Sequence, residues 1–139
     1  MRNVVVDSSA WIALRHRDDA YHDVARAHYL RLAADRAALV TTNYVVDETS
    51  TRLRYETGLG AALAFRDVLR ELEGSGRLSI LWVDRKIEAQ AWGVLERYAD
   101  IELSMTDAVT IALARGRRIH EVFGFDNDFR TVGLRVSPD

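Results

Sequence analysis

The chain has no cysteine and only one proline and one lysine among its 139 residues. Without thiols, neither a disulfide framework nor a thiolate zinc site is possible. The four histidines, His16, His22, His28 and His120, include no pair four residues apart, and no His-Glu-x-x-His segment occurs. That argues against a helical zinc centre. Long apolar runs are missing too. Val4-Val5-Val6 follows only Met1, Arg2 and Asn3 and stops at Asp7, too short for the apolar segment of a signal peptide, and no other stretch approaches a membrane span. A cytoplasmic protein is therefore expected. Internal repeats and low-complexity tracts are also lacking, which excludes solenoid architectures.

What is present suits a compact domain. Hydrophobic residues make up 48% of the chain and charged residues 29%, a balance that separates it from disordered sequences. A single domain spanning residues 1–139 is expected to bury roughly two-thirds of its unfolded surface. The net charge of −2 is weak testimony against a nucleic-acid partner, because an acidic metal site carries charges that bound cations neutralise. Apart from Lys86, every Lys/Arg position is arginine, the side chain best shaped for forked phosphate contacts.

Strand and helix signals alternate. Asn3 to Val6 reads as a strand, followed by a helix that Ser8 or Ser9 can cap and that carries Trp11, Ile12 and Leu14. A helix is expected from Asp18 or Asp19 to about Asp35, a strand from Ala38 to Thr41, and helices from Tyr44 to about Thr57 and from Leu59 to Glu73, separated by Gly58. Leu78 to Val83 reads as a strand and Asp84 as the cap of the next helix. Ser104 to Ala114 reads as a further helix, and Ile119 to Phe125 and Leu134 to Val136 as the last strands. The pattern predicts an α/β fold: a mostly parallel central sheet of about five strands with helices on both faces. In such sheets the site lies beyond the carboxyl ends of the strands.

Acidic residues collect at those ends. Asp7 directly follows the first apolar strand, where a bare buried charge is costly. It is either an N-cap or a member of a site. Asp126 and Asp128, in Gly124-Phe125-Asp126-Asn127-Asp128-Phe129, follow another strand, and Gly124 lets the backbone pass close to something. Asp107, in Ser104-Met105-Thr106-Asp107, fits a capping box, yet a helix N-terminus also turns free amides toward a cleft. Glu48 and Asp47 both sit near the margin of a helix whose buried face carries Val45, Val46, Thr49 and Leu53, and periodicity does not choose between them. Carboxylates gathered at one sheet edge repel one another unless a cation sits between them.

In that order, Val4-Val5-Val6-Asp7-Ser8-Ser9-Ala10-Trp11, Tyr44-Val45-Val46-Asp47-Glu48-Thr49, Ser104-Met105-Thr106-Asp107-Ala108 and Phe125-Asp126-Asn127-Asp128-Phe129 resemble the PIN-domain ribonucleases. Within them the chain looks like the toxins of VapBC-type toxin–antitoxin pairs. The resemblance covers essentially the whole chain. It implies catalytic acids at Asp7, Glu48, Asp107 and Asp126, selecting Glu48 over Asp47, and metal ligands at Asp7, Asp107, Asp126 and Asp128. Ser9 and Thr106 fall where the family uses small hydroxyl residues in support. The implied chemistry is Mg²⁺- or Mn²⁺-dependent cleavage of RNA to a 5′-phosphate and a 3′-hydroxyl. The implied partners are RNA, an antitoxin protein that wraps the surface, and a second copy in a homodimer.

Other α/β readings each miss a residue. A haloacid-dehalogenase phosphatase needs a second acid where Ser9 stands, an Asp-x-Ser-x-Ser cation site needs serine where Trp11 stands, and a receiver domain needs a late lysine. The rival of a different class is a non-catalytic module that binds RNA or protein on the same fold. The clusters Arg15-His16-Arg17 and Arg115, Arg117 and Arg118 are either phosphate contacts or a solvated face. Leu59, Leu63, Phe65, Leu69 and Leu72 mark a candidate partner or dimer surface, with core packing as the alternative.

Overall fold

Val4, Val5 and Val6 are each at most 1% exposed, as a strand covered on both faces requires. They form β1 (Asn3–Val6), which pairs in parallel with β2 (Ala38–Thr42) on one side and β4 (Glu121–Phe123) on the other. Outside these lie β3 (Leu78–Leu81) and β5 (Arg135–Ser137), giving one parallel five-stranded sheet in the order β3-β2-β1-β4-β5. The computed structural model describes residues 2–139.

Alternation along β1 divides the core. Val4 and Val6 pack with Trp11, Val45, Phe65 and Phe123, on the face covered by α1 (Ser8–Arg15), α2 (His22–Ala34), α3 (Asn43–Glu56) and α4 (Leu59–Gly74). Val5 packs with Ala91, Ala108, Ile111 and Phe129, under α5 (Arg85–Arg97), α6 (Met105–Gly116) and α7 (Asp128–Thr131). Successive strands step outward from β1 to β3, then the chain returns to β4 on the opposite side of β1. The connections therefore diverge between β1 and β4, and a crevice opens at their carboxyl ends.

Side-chain caps start most of the helices. Thr42 accepts from the Val45 amide at 3.1 Å, Asp84 from Ile87 at 2.9 Å, and Ser104 and Asp107 exchange the two bonds of a capping box at 3.0 and 3.1 Å. The cap of α1 is Asp7, not Ser8 or Ser9, which lie inside the helix. The helix expected from Asp18 or Asp19 begins only at His22, because the Asp19 carboxylate accepts from the Tyr21 amide at 2.9 Å and closes a turn first. β3 and β4 end two residues earlier than their apolar runs, and the short helix α7 had no periodic signal. Phe65, Leu69 and Leu72 belong to the core, leaving only Leu59 and Leu63 exposed, at 52% and 40%. The expected apolar surface on α4 is accordingly small. No helix among the described residues is long and apolar enough to cross a membrane.

At the amino ends of the same strands, Arg2 forks onto the buried Glu121, Nε to Oε1 at 2.9 Å and Nη2 to Oε2 at 2.8 Å, and reaches Asp35 at 2.8 Å. Burial pushes the Glu121 carboxyl up, but the two bonds from Arg2 outweigh it and hold the group below its ordinary value. Arg2→Ala would leave Glu121 buried without its counter-charge. About a third of the Arg2 side chain (33%) is exposed, so the expected loss is about 2–3 kcal/mol, at or below the range for breaking a fully buried pair. Urea unfolding followed by circular dichroism measures it; a loss below about 0.5 kcal/mol would show the fork to be no better than a surface pair.

Candidate active site

Asp7 continues β1 by one residue, its amide donating to Phe123 O at 2.9 Å. Its side chain is turned into the crevice between β1 and β4 and is only 3% exposed. Oδ2 accepts from the Ser9 amide at 3.2 Å and the Ser9 hydroxyl at 2.7 Å, while Oδ1 is buried with no hydrogen-bond partner. The Ser9 hydroxyl in turn accepts from the Phe125 amide at 3.0 Å. One serine thus ties the acid to the chain leaving β4. Gly124 makes that approach possible: a methyl there would sit 3.1 Å from both Asp7 Cβ and Ser9 Oγ, tighter than either neighbour can readily yield.

The remaining acids come from different elements. Glu48 is half-buried on α3, and its carboxylate accepts a hydrogen bond from the Ser8 hydroxyl on α1. Asp47 is exposed, so the structure separates two residues that periodicity left equivalent. Asp107 is half-buried in the first turn of α6, where its carboxylate is the second arm of the capping box. Thr106 lies beside it and is also half-buried. Asp126 follows β4, with Oδ1 accepting from the Asp128 amide at 2.9 Å. What Asp128 is seen to contribute to the acids is therefore its backbone N–H.

These groups feel one another. The Asp7 carboxyl is pushed up to about 7, first by burial and then by repulsion from Asp107 and Glu48, with the Ser9 bonds opposing the shift. Asp107 is also raised, again by burial first, with Asp126 and Glu48 adding to it against the bonds from Ser104. Four carboxylates thus share one crevice at the switch point of the sheet. Their oxygens are the hard donors that a divalent cation of the Mg²⁺ type prefers, and the orphaned Asp7 Oδ1 is the buried atom such an ion would satisfy. No group of three or more His, Asp or Glu side chains among the described residues is closed enough to hold an ion as it stands. Glu48, Asp107 and Asp126 are instead engaged by Ser8, Ser104 and the Asp128 amide, as mutually repelling groups will be.

Of the four acids, Asp126 borders a cleft of about 480 Å³ that Ser9, Ile12, Asp19, Tyr21, Arg52 and Phe125 also line. The arginine clusters stand elsewhere: Arg15 and Arg17 line a separate cavity with Arg26, and Arg115 binds Tyr98 Oη and Val132 O. Ser8 was expected only as a helix cap, and neither Tyr21 nor Arg52 was expected near the site. Arg52 carried a usable signal, since it stands one helical turn after Glu48 and so shares its face. Tyr21 carried none, because its position depends on the turn at Asp19.

A family model for the PIN domain matches residues 4–134. The chain is a PIN-domain protein. Over 138 residues this PIN domain is 34% identical to the 23S rRNA-specific endonuclease VapC20 of Mycobacterium tuberculosis, covering 98% of this chain and 99% of the relative, which places it among the VapC-like members. The crystal structure of that VapC20, described as a sarcin–ricin-loop-cleaving toxin, matches with a TM-score of 0.82 and 32% identity over 94% of this chain and 95% of the other. VapBC2 from Rickettsia felis, bound to a promoter DNA fragment, matches with a TM-score of 0.71 and 12% identity over 97% of both chains. At that identity the match speaks to the fold alone.

The Asp7 environment sets a pH dependence. A carboxyl whose folded value is raised from 3.8 to about 7 keeps its proton in the folded chain where the unfolded chain has lost it. Stability is then greatest below about pH 4 and falls as pH rises to about 7, by at most about 4 kcal/mol. In EDTA, Asp7→Asn is expected to be more stable than the parent at pH 8 and to lose that advantage on acidification. Parallel pH profiles of the urea midpoints in the two proteins would contradict this.

Proposed function

We propose that this PIN domain is a metal-dependent endoribonuclease acting as the toxin of a toxin–antitoxin pair. The observation that carries the reading is the buried Asp7 carboxylate, with one oxygen lacking any partner, grouped with Glu48, Asp107 and Asp126 at the carboxyl ends of β1 and β4. A charge held there at a cost to stability is the mark of a site rather than of a scaffold. The names of the relatives support RNA as substrate and the 23S rRNA sarcin–ricin loop as the first target to test.

Asp7, Asp107 and Asp126, with Asp128 at the margin, are the residues that would hold Mg²⁺ or Mn²⁺. When bound, such an ion neutralises phosphate oxygens and makes nearby water more acidic. Ser9 fixes Asp7 by accepting from Phe125 while donating to Oδ2. Ser8 directs Glu48, whose carboxylate, with that of Asp107, orients water and accepts its proton. The amino end of α6 presents its dipole to the incoming phosphate. Hydrolysis forms one bond from water oxygen to phosphorus and breaks the bond from phosphorus to the 3′ oxygen. The water proton passes to the acid cluster and the leaving oxygen takes one from solvent, giving a 5′-phosphate and a 3′-hydroxyl. An antitoxin that covers this face and a homodimer belong to the same proposal, as does a cytoplasmic location.

The purified protein is expected to cut a synthetic sarcin–ricin hairpin or a total RNA pool with Mg²⁺ or Mn²⁺, and to stop in EDTA. Asp7→Asn and Asp107→Asn should each abolish cleavage with circular dichroism unchanged. Activity retained in both variants would contradict the assignment; folded protein that binds RNA under all these conditions without cutting it would mark a non-catalytic module.

A further inference from the structure

We infer that Tyr21, stacked on Phe125 beside the acid cluster, is a seat for one unpaired RNA base, and that Arg52 receives the phosphate next to it. The two rings lie 4.4 Å apart between centroids at an interplanar angle of 7°. Phe125 is anchored through its amide to Ser9 and packs edge-on against the buried Phe123 at 6.4 Å. Tyr21 is 51% exposed, so the stack covers one face of its ring and leaves the other open. Its backbone is fixed on both sides: the Tyr21 amide donates to Asp19 Oδ1 at 2.9 Å, and the Tyr21 carbonyl accepts from the Ala25 amide at 2.8 Å. Tyr55, Trp82 and Trp92 are more exposed, but Tyr21 is stacked on an anchored ring and borders the cleft, and a rigid aromatic face is what single-stranded bases stack on.

The stack does not stand apart from the acids. Tyr21, Phe125, Arg52, Asp126, Asn127 and Ser9 all border the cleft of about 480 Å³. Asp126 and Asp19 line the cleft and repel a polyanion, so a cation at its rim is needed to bring the backbone in. Arg52 is placed for that. Its single ion pair among the described residues is a loose one with Glu56 at 3.4 Å, both side chains close to half exposed, which a phosphate can displace at small cost. A base on Tyr21 and a phosphate on Arg52 would hold an unpaired nucleotide immediately beside Asp126 and Ser9. The inference rests on the ribonuclease reading above for its choice of ligand.

Binding separates it from catalysis. Fluorescence anisotropy would compare a random-sequence single-stranded RNA decamer with an abasic decamer of the same ribose–phosphate backbone, on Asp7→Asn protein, which cannot turn over. The RNA decamer is expected to bind about 5- to 100-fold more tightly than the abasic one. Tyr21→Phe should keep that preference and Tyr21→Ala should erase it, bringing RNA down to the abasic level. Arg52→Gln should weaken both decamers alike and reduce the slope of log affinity against log salt by about one unit. An equal loss for both decamers in Tyr21→Ala, an unchanged preference, or no preference in the parent would overturn the proposal. Cleavage by the unsubstituted protein is scored separately, so a failed base seat and a failed nuclease give different results.

Discussion

A carboxylate sealed at the carboxyl end of the central strand is the constraint around which this structure is arranged. Asp7 follows three valines with no access to solvent, so its direction is set by the pleat of β1 and its surroundings by the strands on either side. Ser9 supplies two of the bonds such a group needs, and one oxygen is left without any. Burial and neighbouring acids together raise its proton affinity to the neutral range. An acid held buried with one oxygen unpartnered is best understood through chemistry.

The rest of the chain serves to bring other acids to that point from distant stretches of sequence. The reversal of strand order between β1 and β4 opens the crevice beside Asp7, and α3, α6 and the segment after β4 each deliver one carboxylate to it. The opposite, amino edge of the sheet carries the complementary solution. There Arg2 closes on Glu121 and Asp35, so each acid has a cation beside it. The two edges of one sheet thus differ in kind: one has its charges paired, while the other keeps its acids unpaired and gathered.

Much of this could be read in the sequence because the signals were local. The apolar strands, the Asp84 cap and the capping box of α6 each rest on a few adjacent residues, and the acids announced themselves by standing where those elements change. What could not be read depended on contacts between elements. Periodicity alone left Glu48 and Asp47 equivalent, and the bond that Glu48 receives comes from Ser8 on another helix; the late start of α2 comes from a turn that competes with helix formation at Asp19. The apolar residues on α4 are mostly core because Phe65 meets Trp11 across the interface, with ring centroids 5.6 Å apart. Membership of the PIN-domain family agrees with the ordered motifs, whose strength lay in their succession along the chain.

Titration of the Asp7 carboxyl itself tests most directly whether this acid is held for a cation. Carbon-13 NMR of protein labelled at aspartate carboxyl groups, with Asp7→Asn to assign the signal, would follow it with and without Mg²⁺. An apparent pKa of about 7 is expected in the metal-free protein, with a clear fall on adding Mg²⁺, since a nearby cation favours the ionised form. A carboxyl that titrates in the ordinary aspartate range without metal, or that does not respond to Mg²⁺, would contradict this role for Asp7.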